Sequence, residues 1–163
     1  MKINCEIRFC CSDWRSLRQI KQYIRSIAKC TLTHFEQFTE LESITISILL
    51  ASDYTMQELN LKHRNKNLPT NVLSFPYEEK LLSDEFKERD IFLGDLAFAF
   101  GVIEREATLQ GKEFQAHFAH LIVHGILHLL GFDHILDVDR EIMEALEIKI
   151  LSKLGIMDPY ELH

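Results

Sequence analysis

No apolar run in the chain approaches the length of a bilayer crossing, and the first residues lack the apolar core of a signal peptide. Both absences argue against a membrane protein and lead us to expect a cytoplasmic one. Cysteine is scarce: Cys5, Cys10, Cys11 and Cys30 all fall in the first fifth, with no C-x-x-C spacing, and read as reduced, mostly structural thiols. Repeats, low-complexity segments and linkers are also missing, so residues 1–163 read as a single domain. An apolar fraction of 47% with 26% charged residues is enough for a real core and argues against disorder.

Basic charge is in short supply too, and a net charge of −7 argues at first sight against a polyanionic partner. Its distribution points the other way. Residues 1–70 carry ten Lys and Arg against seven Asp and Glu, a balance of +3; residues 71–163 carry eight against eighteen, a balance of −10. A first helix, capped by Ser12 or Asp13, is expected to bury Leu17, Ile20, Ile24 and Ile27. Its other face carries Arg15, Arg18, Lys21, Arg25 and Lys29, a stripe that suits phosphates or simply solvent. A second basic cluster, Lys62-His63-Arg64-Asn65-Lys66, precedes Leu68-Pro69-Thr70 and is placed to hold a substrate anion.

The densest chemistry lies in His124-Gly125-Ile126-Leu127-His128-Leu129-Leu130-Gly131-Phe132-Asp133-His134. His124 and His128 stand one helical turn apart, with both imidazoles on one face. Gly131 suits a left-handed C-cap, and the reversal it allows turns His134 back toward the other two. Three protein ligands leave a fourth tetrahedral position open, the catalytic form of a zinc site. The segment matches the H-E-x-x-H-x-x-G-x-x-H pattern of one metalloprotease class except at Gly125, where the glutamate that serves as base is missing, so peptide hydrolysis is not expected. His117 lies two turns upstream of His124, roughly 10 Å away by helical rise, and with His120 reads as supporting or structural. Asp133 reads as a cap for the next helix or as a group orienting a ligand imidazole.

Elsewhere, periodicity gives strands at Ile44–Ile48, Val72–Phe75 and Ile91–Phe98, with a weaker one at Ile3–Phe9. Helices are expected from a Thr55–Glu58 capping box to near Lys62, over 102–109, over 113–130 and over 137–154, where Gly155 stops the last helix. Residues 76–90 read as a mobile loop. The sum is an α+β fold, a small mixed sheet of about four strands packed by helices, with the metal site on a central helix and the loop after it. Asp95, following Gly94 in an apolar strand, would be costly to bury unpaired and reads as bonding backbone in a turn or bulge.

The chain resembles the YbeY family of bacterial metal-dependent endoribonucleases and ribosomal RNA maturation factors. The resemblance spans most of the chain and is carried by four segments: His124 to His134; Arg64 ahead of Leu68-Pro69-Thr70-Asn71-Val72-Leu73-Ser74-Phe75-Pro76; Leu93-Gly94-Asp95; and Leu154-Gly155-Ile156-Met157-Asp158-Pro159-Tyr160. Phe132, where tyrosine is common, and His63, where an aromatic is usual, depart from it. The resemblance implies a zincin-like fold, one zinc ion at His124, His128 and His134, and Arg64 as a functional residue beside it. It further implies cleavage of single-stranded or precursor ribosomal RNA, contacts with small-subunit components, and a part in ribosome quality control. In that chemistry zinc polarises a phosphodiester oxygen or supplies hydroxide, Arg64 holds the phosphate, and the nucleophile is water or a ribose 2′-OH. Two other readings stand: a zinc-stabilised ribosome assembly or RNA-binding factor with little catalysis, and a zincin-like hydrolase of another substrate.

Overall fold

The computed structural model describes residues 1–77 and 88–161. Among them, four strands form one mixed sheet in the order β1-β2-β4-β3: β1 (Lys2–Phe9), β2 (Ser43–Ala51), β3 (Val72–Pro76) and β4 (Asp90–Ala99). β1, β2 and β4 run parallel, and β3 closes the far edge antiparallel to β4. Five α-helices pack around it: α1 (Ile20–Leu32), α2 (Asp53–Arg64), α3 (Phe100–Gln110), α4 (Phe114–Leu129) and α5 (Asp137–Lys153). The expected α+β fold with a mixed four-stranded sheet is the one observed. The loop expected over 76–90 falls mostly outside the described residues, while Pro76 and Asp90 at its ends belong to strands.

β2 alternates as its sequence implies. Ile44, Ile46, Ile48 and Leu50 face the main core with α1 and α4, while Leu49 turns to a smaller cluster built around Met56 of α2. β4 changes phase part-way. Thr45 pairs with Phe92 but Ile46 pairs with Gly94, so Leu93 is the extra residue of a bulge. Strict alternation from Ile91 would drive Asp95 inward. Leu93 is core-facing in that alternation too, and the bulge then sends Leu96 and Phe98 into the main core and leaves Asp95 exposed. Gly94 permits this at φ +138°, where an added Cβ would lie 2.2 Å from the Phe75 carbonyl oxygen. The cost of burying Asp95 therefore never arises.

The first helix departs from expectation. Ser12–Ser16 forms a 3-10 turn, and α1 begins only at Ile20, after Gln19 at φ +56°. The cause is Trp14, fully buried, its Nε1–H donated to the Ala51 carbonyl at 2.8 Å and its ring set against Phe100, Phe114 and Phe118. Driving that indole into the core breaks the helix, leaving Leu17 only half-buried and Arg15 above the Phe9 ring. The basic stripe on α1 reduces to Lys21, Arg25 and Lys29, all exposed. α2 likewise starts earlier than expected: Ser52, not Thr55, is its cap, its Oγ accepting the Thr55 N–H. All four cysteines are free thiols.

Candidate metal centre and nuclease cleft

α4 is the element that builds the site. Its apolar residues, among them Phe118, Leu121, Ile122 and Ile126, hold it against α1 and the sheet, and its histidines share the remaining face. Gly125 sets how close the helix comes to the sheet. A Cβ there would stand 2.9 Å from Leu96 Cδ2 and 3.4 Å from Val72 Cγ2, so the position that carries glutamate in the protease pattern points into the sheet here. Its carbonyl accepts a hydrogen bond from Ser74 Oγ at 3.4 Å. The missing base thus has a packing cause: a glutamate could enter only by displacing the core.

Gly131, at φ +100°, ends α4 in a Schellman turn, with the Phe132 N–H on the Leu127 carbonyl and the Gly131 N–H on that of His128. That turn brings His134 back over the helix. His128 Nε2 lies 3.1 Å from His124 Nε2 and 3.0 Å from His134 Nδ1. Three imidazole nitrogens on one tetrahedral ion, with zinc–nitrogen bonds of about 2.0–2.1 Å, would stand roughly 3.3 Å apart, so this donor set can hold a single ion. Asp133 does not cap α5. Its Oδ1 accepts the His134 N–H at 2.7 Å, and α5 has Leu136 at its N-cap position, with no side-chain cap.

Burial, then the charges of His124 and His134, depress His128 to about 4, so near neutral pH its imidazole is uncharged and offers a lone pair. His124 donates from Nδ1 to Glu147 Oε1 at 2.7 Å. Burial raises Glu147, but hydrogen bonds from His120 and His124, and then Tyr160, outweigh it and hold the carboxyl at about 2. His120 donates from Nε2 to Glu147 Oε2 at 2.6 Å, and the Tyr160 hydroxyl donates to the same oxygen. Further along α4, His117 Nε2 meets Glu106 Oε2 at 2.7 Å, and Glu106 also accepts from Asn71. His117 and His120 are thus engaged with carboxylates.

The three facing imidazoles open onto a cleft of about 700 Å³ whose wall includes Arg64, Lys66, Asn71, Ser74 and Phe132. Arg64 reaches it from the end of α2, where Asn65 turns the chain at φ +56°, and its Nη2 donates to the Ser74 carbonyl at 3.5 Å. The structure therefore brings Arg64 together with His124, His128 and His134, which lie 60 or more residues further along the chain. It also adds Glu147, Glu106 and Tyr160, to which the sequence assigned no role. One signal was present for Glu147: on α5 it shares the face of Met143, Ile150 and Leu151, where a carboxylate needs partners.

The fold has a solved counterpart. A solution structure of a structural-genomics target protein from Thermotoga maritima aligns over 98% of this chain and 99% of that one, with a TM-score of 0.56 at 20% identity. At that identity the likeness concerns the fold alone. Membership comes from sequence: residues 10–155 match the family model described as Endoribonuclease YbeY, and the chain therefore belongs to the YbeY family of endoribonucleases.

Proposed function

We propose that this single-domain protein is a zinc-dependent endoribonuclease that cuts single-stranded precursor RNA in cytoplasmic small-subunit rRNA maturation and ribosome quality control. His124, His128 and His134 are the metal ligands, and Arg64 is the residue that grips the scissile phosphate. The observation that carries the reading is the cleft itself: His128 Nε2 stands 3.1 Å from His124 Nε2 and 3.0 Å from His134 Nδ1, all three ligand atoms lie within 4.8 Å of one another, and a guanidinium lines one wall. Family membership supports RNA as the substrate. Ribosomal partners and the quality-control role rest on the family resemblance alone.

Bound there, an ion would supply Lewis-acid polarisation of a phosphodiester oxygen and lower the pKa of water. The protein's own groups do the remaining work. Arg64, steadied by the Ser74 carbonyl, is a planar donor suited to two phosphate oxygens, and Lys66 adds charge nearby. Guanidinium charge close to the phosphate offsets negative charge that builds as the phosphorus becomes five-coordinate. Phe132 and Val72 give the cleft an apolar stretch of wall, which lowers the local dielectric and strengthens these contacts. No side chain at position 125 can accept a proton, which suits a nucleophile that needs no strong base.

The test is cleavage of an end-labelled single-stranded RNA by zinc-loaded protein, by chelated protein, and by folded Arg64→Ala and His128→Ala variants. Cleavage that needs metal and is lost in both variants supports the nuclease reading. Cleavage equal in all four samples would mark a contaminant and turn the assignment to the assembly-factor reading. Products ending in a 2′,3′-cyclic phosphate would identify the ribose 2′-OH as nucleophile; a 3′-hydroxyl paired with a 5′-phosphate would identify water.

A further inference from the structure

We propose that Glu147 is the positioning residue of the histidine site, fixing His124 in the tautomer that turns its Nε2 lone pair toward the ion, with Tyr160 fixing Glu147 in turn. The last link, to the ion, rests on the metal reading above.

Glu147 is fully buried in α5, in contact with no solvent, and both of its oxygens are occupied. Oε1 takes the His124 ring at 2.7 Å, and Oε2 takes the His120 ring at 2.6 Å together with the Tyr160 hydroxyl. A carboxylate can only accept, so both imidazoles must donate the nitrogens that face it. For His124 the proton is thereby placed on Nδ1, and Nε2, the atom 3.1 Å from His128 Nε2, is left as the lone pair. A free imidazole favours neither nitrogen strongly, and without Glu147 a share of the molecules would present N–H where a ligand is required. A carboxylate behind a ligand histidine also makes that imidazole more basic and holds its ring plane.

The other chemistry open to this cluster is a second metal ion shared by His120, His124 and Glu147. The geometry argues against it: 2.6 and 2.7 Å are hydrogen-bond lengths, shorter than the roughly 3 Å or more between ligand atoms that share an ion. The segment after α5 packs against one side of the cluster. Tyr160 sets its ring edge-on to His120 at 5.3 Å, and the Pro159 carbonyl accepts from Lys112 Nζ at 2.6 Å. The segment after α5 is thus tied to the start of α4, and its one hydroxyl on Glu147 links it to the site.

The experiment uses the full chain and two readouts other than cleavage. Long-range proton–nitrogen spectra of the metal-free protein at pH 8 report the tautomer of each imidazole, and competition with a chromogenic chelator reports zinc affinity. In the wild type His124 should carry its proton on Nδ1; a proton on Nε2 would overturn the proposal whatever the variants do. Glu147→Leu, folded by circular dichroism, should leave His124 in mixed tautomers and bind zinc about 10- to 100-fold more weakly. Wild-type affinity in that variant overturns the proposal. Should Glu147→Leu fail to fold, Tyr160→Phe removes only the hydroxyl and should weaken zinc roughly 2- to 10-fold, with unchanged affinity counting against the relay. Zinc binding equal in wild type and His128→Ala would instead sink the metal reading, while the wild-type tautomer still decides the role of Glu147.

Discussion

The two halves of α4 carry the same residue type to different ends. In the N-terminal half, His117 and His120 each face a carboxylate, Glu106 and Glu147. In the C-terminal half, His124 and His134 both face His128, whose Nε2 lies about 3 Å from a nitrogen of each. A histidine on a carboxylate has one ring nitrogen paired inside the protein, while Nδ1 of both His117 and His120 is buried without a hydrogen-bond partner. Three histidines on one another form a set of converging lone pairs whose simultaneous protonation is opposed by their charges, and a cation satisfies them all. Helical spacing is nearly the same in both halves. What differs is what α5, α3 and the loop after Gly131 bring opposite each ring. His124 belongs to both halves, its Nδ1 on a carboxylate and its Nε2 in the triad.

The sharpest way to break the comparison is to remove one residue from the triad. His128→Ala should lower RNA cleavage roughly 1,000-fold or more, because the several kcal/mol that an ion supplies depend on its ligands. Metal-free stability by urea titration should stay within about 1 kcal/mol, since the lost imidazole has no carboxylate partner. Retained cleavage in a zinc-free His128→Ala preparation would dissolve the distinction between the halves. Arg64→Ala comes next. Cleavage should fall about 100-fold while zinc affinity by chelator competition changes less than about twofold, and Arg64→Lys should recover only part of the loss.

His117→Ala should behave in the opposite sense. It should cost about 2 kcal/mol in urea unfolding, from a lost buried hydrogen bond to Glu106 and a small cavity, and leave the zinc stoichiometry at one. A variant as stable as wild type would mean that the N-terminal half is not structural.

The smallest effect is the pH dependence of metal-free stability. Burial, only partly offset by Glu106, lowers the His117 pKa, and burial with its two neighbours holds His128 at about 4. The unfolded chain therefore takes up these protons before the folded one does. Their stabilising effect is complete above about pH 6.5 and is lost as pH falls toward 4, by at most about 1.4 kcal/mol per pH unit for each proton. Glu147, held at about 2, adds a further loss from about 4.5 downward. Urea midpoints at pH 7.5, 6 and 5 should fall in that order, and less steeply for His128→Ala. A flat profile for the wild type would show that the triad is not desolvated as described.

Much of the fold was legible. The alternation of Ile44, Ile46 and Ile48, the long apolar helix before Gly131 and the stop at Gly155 are local signals, and the structure places strands and helices there. The misses share one cause. Ser12 and Asp13 look like helix caps, but the burial of Trp14 overrides them. Asp95 looks costly in an apolar strand, but a bulge imposed by pairing with β2 turns it outward. Capping and alternation are read within a few residues, whereas core packing and strand register depend on partners tens of residues away.

The candidate site divides along the same line. The four- and six-residue steps from His124 to His128 to His134, with Gly131 to reverse the chain, were enough to bring three nitrogens together, because helix pitch and a glycine cap are local geometry. Sequence also marked Arg64, through its basic cluster and family pattern. Only the tertiary structure set Arg64 on the wall of the histidine cleft, placed Glu147 behind His124, and turned Gly125 into the sheet. Those relations join α2 to β3, α5 to α4 and α4 to β4, and no spacing along the chain encodes a contact that forms only when separate elements pack.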